Sequence, residues 1–209
     1  QQERASAQGA FEAICYEFLT QALIVFEEEL SESAKQYQAV FKLVGTLTQV
    51  ACLEAENFDN VASKITQHAA RLLKKPLQCR AVASCSHLFW CEARRDGRRV
   101  LECLQKCLKL AGAVVTSDAK HVGLWVEMLD HYVYYYECQC EEVTAEYLQS
   151  LVKLCHEHVA FAENDAASRE EGLRARRHLA GSLAHLRSLK ASGQPEVAAR
   201  FAELSLEAS

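Results

Sequence analysis

The sequence predicts an all-α protein of about nine helices laid side by side as antiparallel hairpins, on three observations. Apolar residues recur at three- and four-residue intervals along nearly the whole chain. Only two prolines and eight glycines interrupt its 209 residues, too few for the turns of a many-stranded β protein. The links between periodic stretches are short, which favours antiparallel neighbours.

The first helix carries Phe11, Ile14, Cys15, Phe18, Ala22, Val25 and Phe26 as its expected core face, then runs into the acids Glu27, Glu28 and Glu29. Ser33 with Gln36 has the spacing of a capping box, ahead of a stripe of Tyr37, Val40, Phe41, Val44, Leu47 and Ala51. Asn57 is placed to cap a third helix with Val61, Ile65, Ala69 and Leu72, which should stop at Lys74 and Lys75 because the residue before Pro76 avoids helical angles. Pro76 suits the first turn of a fourth helix, expected to run to about Cys91. Its small residues Ala83, Ser84 and Ser86, among Leu77, Ala81, Cys85 and Leu88, mark it as an inner helix.

Asp96 and Gly97 break the chain, and Val100, Leu104, Cys107, Leu108 and Ala111 define a fifth helix. Ser117 and Asp118 open a sixth, apolar on two sides. One stripe holds Val122, Trp125, Leu129, Tyr132, Val133 and Tyr136, and another Leu124, Met128 and Tyr135. Residues 132–136 have strand-like composition, but the flanking period is helical. A seventh helix carries Leu148, Leu151, Val152, Cys155 and Val159. Ser168 with Glu171 opens an eighth with Leu179, Leu183 and Leu186, and Pro195 a short last one with Val197, Phe201 and Leu204. Stacked hairpins of this kind make a HEAT-like α-solenoid, expected as a single domain over residues 1–209, although a compact bundle leaves similar periodicities.

With 50% hydrophobic and 24% charged residues, the composition is that of a folded protein. A net charge of −5 argues against a nucleic-acid partner, which needs a basic surplus on one face. The longest strictly apolar run, residues 22–26, is far below the roughly 20 residues of a membrane span. No secretory signal pattern opens the chain, and its start at Gln1, with Met128 the only methionine, suggests a piece of something longer. The ten cysteines fall mostly at helical positions beside apolar neighbours, so they read as reduced core thiols in a cytosolic setting.

Reactive chemistry finds no carrier in the sequence, and no cofactor is expected. Cys103 and Cys107 lie four apart on one face, a spacing that suits two zinc ligands, but no Cys-x-x-Cys pair supplies two more. Cys155, His156 and His158 look clustered, yet residues two apart on a helix point about 200° away from each other. A helical metal-dependent enzyme is therefore an alternative without a ligand set. Neither Gly-x-Ser-x-Gly nor a phosphate-binding glycine loop is present, and His68 reads as a hydrogen-bonded core histidine. Two basic groups, Arg94, Arg95, Arg98 and Arg99, and Arg169, Arg174, Arg176 and Arg177, suit anionic lipid, as in a lipid-binding helical module, an acidic peptide, or a solvated face balanced by the 28 acids.

What remains is a surplus of apolar and aromatic surface. Trp125 sits on the cleaner stripe of the sixth helix and reads as core. Phe89, Leu124, Met128 and Tyr135 fall off the main core stripes and are the expected partner-binding residues.

The runs Phe11-Glu-Ala-Ile-Cys-Tyr-Glu-Phe, Leu72-Leu-Lys-Lys-Pro76, Cys79-Arg-Ala-Val and Cys85-Ser-His-Leu-Phe-Trp90 carry a resemblance, as do Arg99-Val-Leu-Glu-Cys-Leu-Gln-Lys-Cys-Leu108 and Val126-Glu-Met-Leu-Asp-His-Tyr-Val-Tyr-Tyr-Tyr-Glu137. In order and spacing, over roughly residues 11–138, the chain resembles the carboxy-terminal solenoid of the vacuolar protein sorting-associated protein 35 family, the large subunit of retromer. The resemblance implies a non-catalytic scaffold that clamps the metallophosphoesterase-like retromer subunit over that partner's metal pocket, any metal belonging to the partner. It also implies peripheral, indirect recruitment to endosome membranes and transport of cargo to the Golgi or cell surface. Endosomal accessory proteins and a second copy of the chain are further partners it suggests. The family's contact with the arrestin-like subunit lies upstream of these residues.

Overall fold

The computed structural model describes residues 2–91 and 94–206, residues 2–10 as backbone only. Among the described residues it contains nine α-helices, two 3-10 turns and one two-stranded ribbon, so the all-α class is as expected. Two compact units divide between Asp96 and Gly97.

The first unit holds α1 (Gln2–Glu29), α2 (Ser33–Gln49), α3 (Ala55–Ala69) and α4 (Lys75–Cys85). Glu12 of α1 accepts the Glu54 backbone N–H and the Asn57 amide at 2.8 Å each, while Glu27 meets His68 Nε2 at 3.1 Å. Advancing along α1 thus advances along α3, and the two helices run the same way. That register corrects the expected core face of α1. Leu19, Leu23 and Phe26, on the side shared with Glu12 and Glu27, are buried, whereas Phe11, Ile14, Phe18 and Val25 are 67%, 55%, 72% and 53% exposed. The helix has two apolar stripes, and the one flanked by the polar anchors to α3 is the one covered.

Helix ends also depart from the expected caps. Ser33 lies inside α2 rather than capping it, and Gln36 instead donates to the Leu30 carbonyl at 2.7 Å. Asn57 lies inside α3, its side chain spent on Glu12. That helix stops at Ala69, short of Lys74, because the Ala70 carbonyl is taken by the Gln78 side chain reaching back from α4. Pro76 sits in the first turn of α4 as expected, and residues 78, 79 and 81–85 are all buried, which makes α4 the inner helix. It ends at Cys85 rather than Cys91. A 3-10 turn, Ser86–Phe89, leads into β1 (Trp90–Cys91), which pairs antiparallel with β2 (Arg94–Arg95). Arginine stacking explains the ribbon: Arg95 lies 4.9 Å from the Trp90 ring directly across the pair, and Arg94 3.6 Å from the Phe58 ring. Glu92 and Ala93, between the strands, lie outside the described residues.

The second unit holds α5 (Gly97–Ser117), α6 (Gly123–Glu137), α7 (Ala145–Asn164), α8 (Arg169–Lys190) and α9 (Pro195–Phe201). Residues 132–136 are helical, as the flanking period required. Trp125 stacks on His158 and Tyr132 meets Tyr147, so α7 runs against α6. Asp130 binds His178 at 2.6 Å and Glu137 binds His185 at 2.5 Å, one heptad further along both helices, so α8 runs with α6. This up-down-up order is the pairing of stacked hairpins, consistent with a helical solenoid. Thr144 caps α7 through the Tyr147 N–H, but Ser168 turns its hydroxyl to the Ala162 carbonyl and Asp165 instead of capping α8. The short α9 is fastened where the Tyr136 hydroxyl donates to the Arg200 carbonyl and Arg200 Nε donates to the Tyr136 carbonyl, both at 2.7 Å.

At the α7–α8 turn a Cβ on Gly172 would lie 2.7 Å from the Glu163 backbone nitrogen, whereas one on Gly181 would meet nothing within 4 Å. Gly172→Ala should therefore destabilise by about 1–3 kcal/mol and Gly181→Ala stabilise by about 0.5–1 kcal/mol, opposite shifts of midpoint in urea unfolding.

Burial is the largest cause holding His68, His131 and His158 below the ordinary imidazole value of 6.5, partly offset at His68 by the Glu27 carboxylate. The unfolded chain then binds these protons more readily than the folded one, so their contribution to stability is lost as pH falls through and below 6.5. The melting temperature at pH 5.5 should lie below that at pH 7.5, and His158→Asn should narrow the gap.

Candidate partner-binding site

The sixth helix is apolar on more sides than a helix on a protein surface needs to be. In the structure α6 packs against α5, α7 and α8 at once. Nine of its 15 residues are buried, and both of its apolar stripes are covered. Leu124, Met128 and Tyr135 are 0%, 1% and 0% exposed, and Phe89, closing the 3-10 turn after α4, is 3% exposed. The premise that these four stand off the core is corrected: the sandwiching of α6 leaves Leu124, Met128 and Tyr135 no free side, and Phe89 is buried in the first unit. The Phe89 carbonyl takes the Asp96 N–H at 3.0 Å, which closes the base of the ribbon. Trp125 is buried, as its stripe indicated.

The apolar surface lies elsewhere. Phe11, Ile14, Phe18 and Val25 form an open stripe on α1, with Phe41 exposed on α2. Phe161 on α7 and Leu173 on α8 are exposed near the turn between those helices. A signal for the α1 stripe was present in the sequence, since Leu19 and Leu23 give that helix a second apolar face of equal quality.

The cysteines and histidines that the sequence singled out as candidates are occupied with packing. Cys103 and Cys107 are both buried, and burial pushes the Cys103 thiol up to about 11. Cys155 is pushed up to about 12 by burial, with Asp130 adding to the effect. Thiols held protonated in this way are poor nucleophiles and poor metal ligands. His158 stacks on Trp125 at 5.2 Å, and His68 binds Glu27, as expected of a hydrogen-bonded histidine at the edge of the core. Among the described residues no three His, Cys, Asp or Glu side chains converge on one point as a metal site requires.

The basic groups are largely tied down. Arg98 pairs with Glu102 at 3.3 Å, Arg174 with Glu170 at 2.5 Å and Arg176 with Glu163. Arg169 and Arg177 donate to the Glu163 and Leu173 carbonyls. Among the described residues no helix is long and apolar enough to cross a membrane.

These features define an all-α protein of paired helices whose distinctive chemistry is packing and exposed apolar surface. The family model for vacuolar protein sorting-associated protein 35 matches residues 1–158, and the chain belongs to that family. It is 43% identical over 165 residues to vacuolar protein sorting-associated protein 35A of Arabidopsis thaliana, covering 75% of this chain and 21% of the relative. It is 38% identical over 174 residues to the 35C protein of the same plant, covering 78% and 22%. With vacuolar protein sorting-associated protein 35 of Schizosaccharomyces pombe it shares 35% identity over 159 residues, covering 73% and 19%. The chain thus spans about a fifth of the length of the curated relatives it matches.

Placement in or out of the core is directly measurable. Met128→Ala should cost about 2–5 kcal/mol in urea unfolding, because it empties a closed site. Phe18→Asp, at an exposed position, should change stability by no more than about 0.5 kcal/mol.

Proposed function

We propose that this chain is a non-catalytic scaffold segment of retromer that binds the metallophosphoesterase-like subunit, vacuolar protein sorting-associated protein 29, in protein transport from endosomes to the Golgi and the plasma membrane. The observation that carries this reading is membership of the vacuolar protein sorting-associated protein 35 family over residues 1–158. The physical character of the chain supports it. Helices stitched in fixed register by buried aromatics and polar pairs give a rigid surface, and rigidity lowers the entropic cost of docking. Thiols kept protonated by burial suit a structural protein better than a catalyst.

On this reading the segment sits in the cytoplasm and reaches endosome membranes through its partners. Phe89, Leu124, Met128 and Tyr135 act in binding from beneath the surface: their packing sets the position of the helices that carry the contact. The partner meets side chains that are exposed in the free chain.

Gel filtration of the 209-residue chain with the purified phosphoesterase-like subunit tests this. Stable co-elution is expected, with Met128→Asp and Tyr135→Asp losing both binding and part of their helical circular dichroism. A fully helical wild-type chain that elutes apart from the subunit would remove the proposal, and so would Tyr135→Asp binding as wild type does.

A further inference from the structure

In the first unit two thiols from separate parts of the chain meet. Cys15 lies on α1 and Cys52 in the link between α2 and α3, and their side chains share a hydrogen bond. Both are half-buried, unlike Cys103, Cys107 and Cys155, which are buried. A small solute in water can therefore reach this pair, whereas core packing shields those three.

The fold holds the two segments face to face at this point. Glu12 stands one turn before Cys15 on α1, and its carboxylate accepts the Glu54 N–H and the Asn57 amide at 2.8 Å each. Glu54 is two residues beyond Cys52, so the carboxylate clamps α1 against the same link. Leu19, one turn after Cys15, and Leu53, next to Cys52, are both buried beside the clamp. Disulfide closure needs main chains that have already approached and sulfurs that face one another. The clamp supplies the first condition and the hydrogen bond between the thiols the second.

We propose that Cys15 and Cys52 are a site of reversible oxidation, joined as a disulfide by a peroxide and parted again by a dithiol. One sulfur attacks a peroxide oxygen as its thiolate. The O–O bond breaks, the sulfur becomes a sulfenic acid, and the thiol proton leaves with the departing oxygen as water. The other sulfur then attacks the sulfenic sulfur, so that the S–S bond forms and the S–O bond breaks. The departing hydroxide takes the second thiol proton and leaves as a second water. Two electrons pass from the pair to the peroxide, and two thiols with hydrogen peroxide become one disulfide and two waters. A dithiol reverses the step by exchange, restoring both thiols and leaving as a disulfide itself.

Burial first, then the hydrogen bond and charge of Cys52, hold the Cys15 thiol above its ordinary value of 9.0. Thiols kept protonated attack slowly, so the pair stays reduced at rest and closes under sustained oxidant. Closure makes a loop that contains the whole of α2, and cross-linking such a loop restrains the unfolded chain. It also fastens α1 between Ile14 and Phe18 of its exposed stripe. The bond forms whether or not the chain binds the phosphoesterase-like subunit, and each reading can fail without the other.

The test is peptide mapping of the reduced 209-residue chain after millimolar hydrogen peroxide, with the remaining thiols blocked by N-ethylmaleimide. Trypsin releases residues 5–35 and 43–64, which hold one cysteine each, Cys15 and Cys52. These peptides should appear linked, two hydrogens lighter than the separate pair, and should part on adding dithiothreitol. The oxidised chain should melt about 5 °C above the reduced one. Cys15→Ser and Cys52→Ser should each abolish the link and the rise, with helical circular dichroism unchanged before oxidation. The wild-type map stands without the variants. Oxidised protein lacking the linked peptides, a link from Cys52 to Cys91 in their place, links between two chains only, or identical melting of the oxidised and reduced chains would each overturn the assignment.

Discussion

A helix with two apolar stripes must be covered along both of them, and α6 imposes that constraint on everything around it. Its buried residues include Trp125, Met128, Tyr132 and Tyr135, and Met128 contributes roughly 1.5–3 kcal/mol when removed from water. Covering them takes α5, α7 and α8 together. Once α8 lies against α6, the two short histidine–carboxylate contacts, Asp130 with His178 and Glu137 with His185, fix direction and axial position. Burial supplies most of the free energy, and the polar pairs, each half-exposed and individually weak, choose among registers that burial alone would leave nearly equal. The arginine and tyrosine that fasten α9 act in the same way at the end of the unit.

The first unit solves the same problem with small residues. In α4 alanine, serine and cysteine let neighbouring helices approach closely, and the buried hydroxyls of Ser84 and of Ser86, in the turn that follows, donate to the Ala81 and Ala83 carbonyls. Glu12 and Glu27 play the part of the histidine pairs, meeting α3 near its two ends. Because they lie beside Leu19, Leu23 and Phe26, they decide which of two apolar stripes on α1 turns inward. The stripe of Phe11, Ile14, Phe18 and Val25 turns outward for the same reason. Surface and core in α1 are thus exchanged by the position of two carboxylates.

Within each unit the fixed registers hold the exposed side chains in defined places, and the relatives the chain matches in the vacuolar protein sorting-associated protein 35 family are several times longer. Several thiols and imidazoles, abundant enough to suggest reactive chemistry, are absorbed into packing: His158 as a stacking partner for Trp125, and Cys155 as a protonated core side chain.

The sequence by itself determined the helical class, the order of the helices, the inner character of α4, the core role of Trp125 and the family. All of these depend on local periodicity or on identities preserved in order. Caps were legible only in part. Pro76 and Pro195 stand in the first turns of α4 and α9 as read, whereas Ser33, Asn57 and Ser168 were drawn off by helix starts and partners set by the rest of the fold. Tertiary structure alone decided that Phe89, Leu124, Met128 and Tyr135 are interior, that one apolar face of α1 is open, and that Cys15 meets Cys52. The physical reason is that hydrophobic periodicity says which side chains share a face but not how many faces will be covered, because coverage depends on neighbours distant in the chain.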